Sequence, residues 1–158
     1  MIIRDFRPAD AAALAALFHT SVREIGLRDY TAAQVWAWSP VAPDSADYLR
    51  RAEERLILVA ENERGEPVGY ADLEPDGHID HLYCRPDTMG TGVGSALVAA
   101  LEGAANERGI AALYVEASEA ARRLLERRGF TVTARNEFEV NGVPIHNYRM
   151  IKSLRARV

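Results

Sequence analysis

Leu82-Tyr83-Cys84-Arg85-Pro86-Asp87-Thr88-Met89-Gly90-Thr91-Gly92-Val93-Gly94-Ser95 carries an apolar strand into a glycine-rich turn and then into a helix. That order builds an anion site. Gly90, Gly92 and Gly94 lack a Cβ, so the backbone there can bend and lie close to a ligand, with successive N–H groups turned to one point. The helix starting near Gly92 aims unpaired N–H groups and the positive end of its dipole at the same place. A phosphate or pyrophosphate suits such a turn.

Spacing separates three phosphate-binding designs. A P-loop needs Gly-Lys-Ser/Thr after the turn, and Gly94 is followed by Ser95-Ala96. The dinucleotide fingerprint G-x-G-x-x-G nearly fits as Gly90-x-Gly92-x-x-Ser95, with Glu116 about 20 residues on at the end of the next strand. Context counts against it, because Arg85-Pro86-Asp87-Thr88 separate strand from turn and the upstream half of the chain reads as consecutive strands. The third design fits best: Met89-Gly90-Thr91-Gly92-Val93-Gly94 resembles the Q/R-x-x-G-x-G/A pyrophosphate loop of the GNAT superfamily of acyl-CoA-dependent N-acyltransferases.

The resemblance extends through Ile3-Arg4-Asp5-Phe6-Arg7-Pro8-Ala9-Asp10, Pro67-Val68-Gly69-Tyr70-Ala71-Asp72-Leu73, and Ala121 through Leu124-Leu125-Glu126-Arg127-Arg128-Gly129-Phe130. It implies an α/β (α+β) fold, a mixed, largely antiparallel, twisted sheet of six to seven strands flanked by helices, with a splay between the fourth and fifth strands. It also implies acetyl-CoA as co-substrate and acetyl transfer to a primary amine of a small molecule or peptide by direct attack in a ternary complex. Two positions depart from the family pattern. Met89 stands where Arg or Gln is usual, and Leu125 where many members carry the tyrosine that protonates the departing thiolate. Leu125 favours a non-catalytic acyl-CoA sensor as the alternative; the near-miss fingerprint favours, less strongly, a nucleotide-binding oxidoreductase.

Composition agrees with a compact enzyme. At 158 residues and 48% hydrophobic, residues 1–158 can bury one core as a single domain. A net charge of −4 with dispersed Lys and Arg disfavours nucleic acid as a partner. Cys84 is alone, so neither an internal disulfide nor a cysteine zinc site is expected. No apolar run approaches the ~20 residues of a membrane span, and the first residues lack a signal-peptide pattern, which places the expected location in the cytoplasm. A homodimer is left open.

Alternation and turn signals predict a strand over Ile2 to Phe6, a helix from about Asp10, a second helix opened by the capping box Thr31-Ala32-Ala33-Gln34 and stopped by Pro40, and a third from Ser45 to about Glu53. Strands follow at Leu56–Val59, Val68–Leu73 and Ile79–Cys84, then the loop helix from about Gly92 to Glu107. A strand at Ala112–Val115, a helix over Glu119–Arg128 and a hairpin of Phe130–Val140 with Pro144–Ile151 complete the chain.

If Ile79–Cys84 pairs only partly with Ala112–Val115, exposed backbone groups of Leu82, Tyr83 and Cys84 can bond the pantetheine amides as an added strand would. The Leu82 N–H can then polarise the thioester carbonyl. Ser95 offers a hydroxyl to the pyrophosphate. Ser118 offers one to the pantetheine arm, or caps the following helix instead. Asp80 is the first choice for the base that deprotonates the amine, its pKa raised in a partly apolar cleft, and Asp72 the second; either can equally bind a cation or end a hydrogen-bond network. Tyr83, Tyr114 and Tyr148 are candidate acids, although a thiolate can also depart and take its proton from water. Tyr30, Trp36 and Trp38 can wall an acceptor pocket, and His78 can relay a proton to Asp80. No metal is assigned, because strand alternation turns His81 away from His78 and Asp80. His19 and His146 show no partners.

Overall fold

The computed structural model describes residues 1–154. In chain order the elements are β1 (Ile2–Asp5), α1 (Ala11–Ile25), α2 (Ala32–Trp38), α3 (Ser45–Glu54), β2 (Leu56–Glu61), β3 (Pro67–Leu73), β4 (His78–Ile79), β5 (Leu82–Cys84), α4 (Val93–Glu107), β6 (Ala112–Ala117), α5 (Glu119–Arg127), β7 (Thr131–Val140) and β8 (Val143–Ser153). The eight strands form two four-stranded sheets, ordered β1-β2-β3-β5 and β4-β6-β8-β7, rather than one sheet of six to seven strands. Among the described residues only β4 and β6 run parallel; every other neighbouring pair is antiparallel.

The first sheet is covered on both faces. On β2, Ile57 and Val59 face α1 and α3, packing with Leu14, Leu17, Tyr48 and Tyr70, while Leu58 and Ala60 face α4. There Leu97, Val98 and Leu101 are fully buried against both sheets, and each such side chain contributes about 1.5–3 kcal/mol by leaving water. This two-sided burial is why β2 and β3 read as continuous apolar runs.

Local caps place the helices. The Thr31 hydroxyl accepts the Gln34 N–H at 3.1 Å and Gln34 returns the bond to the Thr31 N–H at 2.9 Å, which opens α2. Gln34 also donates to the Pro144 carbonyl at 2.9 Å, docking α2 on the β7–β8 hairpin. Asp10, held by the two terminal nitrogens of the Arg4 guanidinium at 2.8 and 2.9 Å, anchors the start of α1 to β1.

The segment expected as one strand over Ile79–Cys84 is broken. His78 and Ile79 pair with Tyr114 and Val115 of β6, whereas Leu82, Tyr83 and Cys84 pair with Ala71, Tyr70 and Gly69 of β3. Between them Asp80 and His81 leave the ladder, and their N–H groups donate to one buried oxygen, Oδ1 of Asp72, at 2.8 Å each. A carboxylate thus takes the place of a strand partner, and the chain passes from one sheet to the other at that point.

Candidate active site

A cleft of about 410 Å³ opens where the sheets part. Its floor is β5 and the end of β6; the loop Met89–Ser95 and the start of α4 form one end, and Tyr30, Val35 and Trp38 face Ile145, His146 and Asn147 of β8 at the other. The Asp72 N–H donates to the His81 carbonyl and the Arg85 N–H to the Val68 carbonyl, so the odd-numbered residues bond β3. By the period of two, Leu82 and Cys84 direct their N–H and C=O groups away from β3, the unpaired side of an edge strand.

The loop has the geometry an anion needs. Gly90 and Gly92 sit at φ of 78° and 91°, left-handed values that side chains resist. At Gly94 a Cβ would stand 2.7 Å from Leu124 Cδ2, so a side chain there would have to displace the tip of Leu124. Gly92 caps α4 without a side-chain bond, and the first bond into the helix is Ala96 N–H to the Gly92 carbonyl at 3.0 Å. The N–H groups of Val93, Gly94 and Ser95 therefore have no protein partner among the described residues. The Ser95 side chain lines the cleft, whereas Thr91 folds its hydroxyl back to the Thr88 carbonyl at 2.5 Å. Ser118 both lines the cleft and caps α5, accepting the Ala121 N–H at 3.3 Å.

Several expected site residues have other surroundings. Asp72 is 1% exposed, and its Oδ2 accepts Arg51 at 2.8 Å and Arg55 at 3.4 Å. Asp80 lies at the edge of the cleft, but its carboxylate meets Arg51 at 2.5 Å and Arg55 at 3.2 Å. Desolvation pushes its pKa up, yet the arginine contacts and nearby histidines outweigh this and hold it below the ordinary value, the reverse of the expected rise. His78 does not line the cleft; it stacks on Tyr114 and bonds Glu74 at 2.8 Å and Glu116 at 2.9 Å. His81 bonds the Tyr70 hydroxyl at 2.9 Å, and burial drives its pKa down to about 4. His78, Asp80 and His81 thus turn to three separate sets of partners.

Trp38 lines the cleft and packs edge-on against Phe138, but Trp36 is exposed under the Arg23 guanidinium, 3.4 Å from its ring centroid, and is not part of the pocket. Of the candidate tyrosine acids, only Tyr83 lines the cleft. Burial, with the Asp80 charge, raises its hydroxyl above the usual value. Tyr114 donates to Asp76 and Tyr148 to Glu119. Leu125 is fully buried in the core, and its neighbour Leu124 is the one that lines the cleft.

His146 has a partner that local sequence does not reveal: its Nε2 lies 2.7 Å from Oε1 of Glu119, 27 residues away. No periodic pattern joins a strand residue to the first residue of another helix. The only available signals were the Ser118 cap, which fixes where Glu119 starts, and the placement of His146 on an amphipathic strand.

The Acetyltransferase (GNAT) domain family matches residues 26–152, and the chain belongs to that family. The crystal structure of a GCN5-related N-acetyltransferase, Aminotransferase, Class-II, from Rhodopseudomonas palustris is 40% identical, with a TM-score of 0.87 over 96% of this chain and 94% of that one. The uncharacterized N-acetyltransferase YafP of Escherichia coli is 28% identical across 94% of this chain and 93% of its own length. The structure of YncA from Salmonella typhimurium, a putative acetyltransferase with its cofactor acetyl-CoA, is 24% identical and shares the fold, with a TM-score of 0.76 over 100% of this chain and 96% of that one.

Proposed function

We propose that this protein transfers the acetyl group of acetyl-CoA to a primary amine of a small molecule or peptide. The observation that carries this reading is the row of unpartnered N–H groups at the start of α4, opening on a cleft floored by the free edge of β5. The amides of Gly90, Gly92, Val93, Gly94 and Ser95 and the Ser95 hydroxyl fit a pyrophosphate, while the Thr91 N–H is spent on the Thr88 carbonyl. Leu82 and Cys84 can add the pantetheine arm as a strand partner, and Ser118 lies beside its path. The Leu82 N–H would polarise the thioester carbonyl. At the other end Tyr30 and Trp38 enclose the acceptor, and the attacking nitrogen displaces the thiolate directly. Pantetheine and nucleotide supply binding and a good leaving group; orientation and proton removal fall to the chain.

The buried Leu125 is the observation that favours a non-catalytic acyl-CoA sensor. Thiol release from acetyl-CoA in the presence of spermidine, a short lysine-containing peptide or p-anisidine separates the two. The transferase releases thiol only when amine is present; a sensor binds acetyl-CoA and releases none with any of them.

Cys84 tests where the pantetheine runs. Burial pushes its thiol pKa up to about 11, so alkylation by iodoacetamide at pH 8 should be roughly 10² slower than for a free thiol. Acetyl-CoA should slow it further by covering β5. Labelling at the rate of a free cysteine, unaffected by acetyl-CoA, would contradict that path.

A further inference from the structure

Among the carboxylates and imidazoles that open on the cleft, most are committed elsewhere. Asp29 is held by two Arg123 nitrogens at 3.0 and 2.7 Å, and Asp80 by Arg51 and Arg55. Glu116 accepts from His78. His146 remains, and its setting is built. Glu119 Oε1 faces His146 Nε2 at 2.7 Å and accepts the Tyr148 hydroxyl at 2.8 Å, while Oε2 accepts Arg122 at 2.9 Å. Tyr30 ties the two backbones together, donating its hydroxyl to the His146 carbonyl at 3.0 Å and accepting the Glu119 N–H at 3.1 Å.

An ionised carboxylate only accepts, so the proton of the neutral imidazole must sit on Nε2. Nδ1 then carries the lone pair. It has no protein partner among the described residues and is not a buried unpaired atom, which leaves it accessible. Bonds from Arg122, His146 and Tyr148 outweigh desolvation and hold the Glu119 carboxyl down at about 2, so it stays ionised at working pH.

Resting on the acyl-transfer reading above, we propose that His146 is the catalytic base, taking a proton from the acceptor ammonium at Nδ1, directly or through one water, and that Glu119 is its positioning residue. The ammonium gives one proton to Nδ1. The neutral amine's lone pair bonds to the thioester carbon, the C–S bond breaks, and sulfur leaves with the bonding pair. The second nitrogen proton passes to the thiolate, so the products are amide and thiol, and His146 returns its proton to solvent. Asp80 and Asp72, the carboxylates expected from sequence to serve as base, are left to hold Arg51 and Arg55.

The test pairs a rate with a spectrum. In wild type, imidazole ¹⁵N NMR should show His146 as the Nε2–H tautomer. With whichever of the three amines turns over, His146→Gln should lower kcat/KM by about 10² to 10⁴ with acetyl-CoA affinity unchanged, and the ascending limb of its pH profile should vanish. Glu119→Gln removes the negative charge that stabilises the imidazolium. Its amide can donate as well as accept, so the Nε2–H tautomer should lose its dominance and kcat should fall about tenfold with acetyl-CoA affinity unchanged. A Glu119 that only braced the fold would, when replaced, lower acetyl-CoA affinity and thermal stability and leave the tautomer in place. An Nδ1–H tautomer, or an active wild type matched by His146→Gln in rate and limb, overturns the proposal alone. A wild type that binds acetyl-CoA and acetylates none of the amines overturns the transferase reading and this assignment with it.

Discussion

Gly92→Val is expected to weaken acetyl-CoA binding by about 10² or more while leaving the apo protein folded. Gly92 holds φ 91° and ψ 4°, and nothing lies within 4 Å of where its Cβ would be, so conformation rather than a clash forbids the side chain. An L-residue in the left-handed region costs about 1–2 kcal/mol, and a β-branched one is worse placed still. The loop is exposed and can relieve that strain by rotating Gly92 to negative φ, which swings the neighbouring N–H groups off their common point. Each amide bond to a charged phosphate is worth about 1.5–3 kcal/mol, and losing two accounts for the drop. Calorimetric titration measures it. An unchanged Kd would mean the phosphates bind elsewhere.

Asp72→Ala is expected to cost about 3–5 kcal/mol of stability, measured by urea unfolding. The Asp72 carboxylate is buried and accepts four bonds, from the N–H groups of Asp80 and His81 and from Arg51 and Arg55. Its removal leaves the backbone between β4 and β5 unsatisfied and two guanidinium groups short of charge. Asp80→Asn should cost far less, about 1 kcal/mol or under, because its side chain is 39% exposed and solvent screens the pair. Activity should fall with stability in the Asp72 variant. Full stability with lost activity would return Asp72 to the role of base.

The parts legible in sequence are those set by local chemistry. The glycines of the loop, the Thr31–Gln34 box and the turns announce themselves because backbone conformation selects their residues. The break at Asp80–His81 was hidden, since apolar residues flank it as in one strand and the side chain that breaks it, Asp72, belongs to the neighbouring strand. The lowered pKa of Asp80 is hidden for the same reason: the deciding arginines come from α3 and the residue just past it. Trp36 and Trp38 were separable in principle, because residues two apart on a helix point to nearly opposite sides. His146 and Glu119 meet only after α5 has packed on β8.

Isotopically labelled acetyl-CoA, incubated with the wild-type protein and each amine, tests acyl transfer most directly when released thiol and labelled N-acetyl product are both quantified by mass spectrometry. One labelled amide per thiol released, and neither formed without amine, is the predicted result. Thiol release without labelled amide, or no release by protein that demonstrably binds acetyl-CoA, would contradict it.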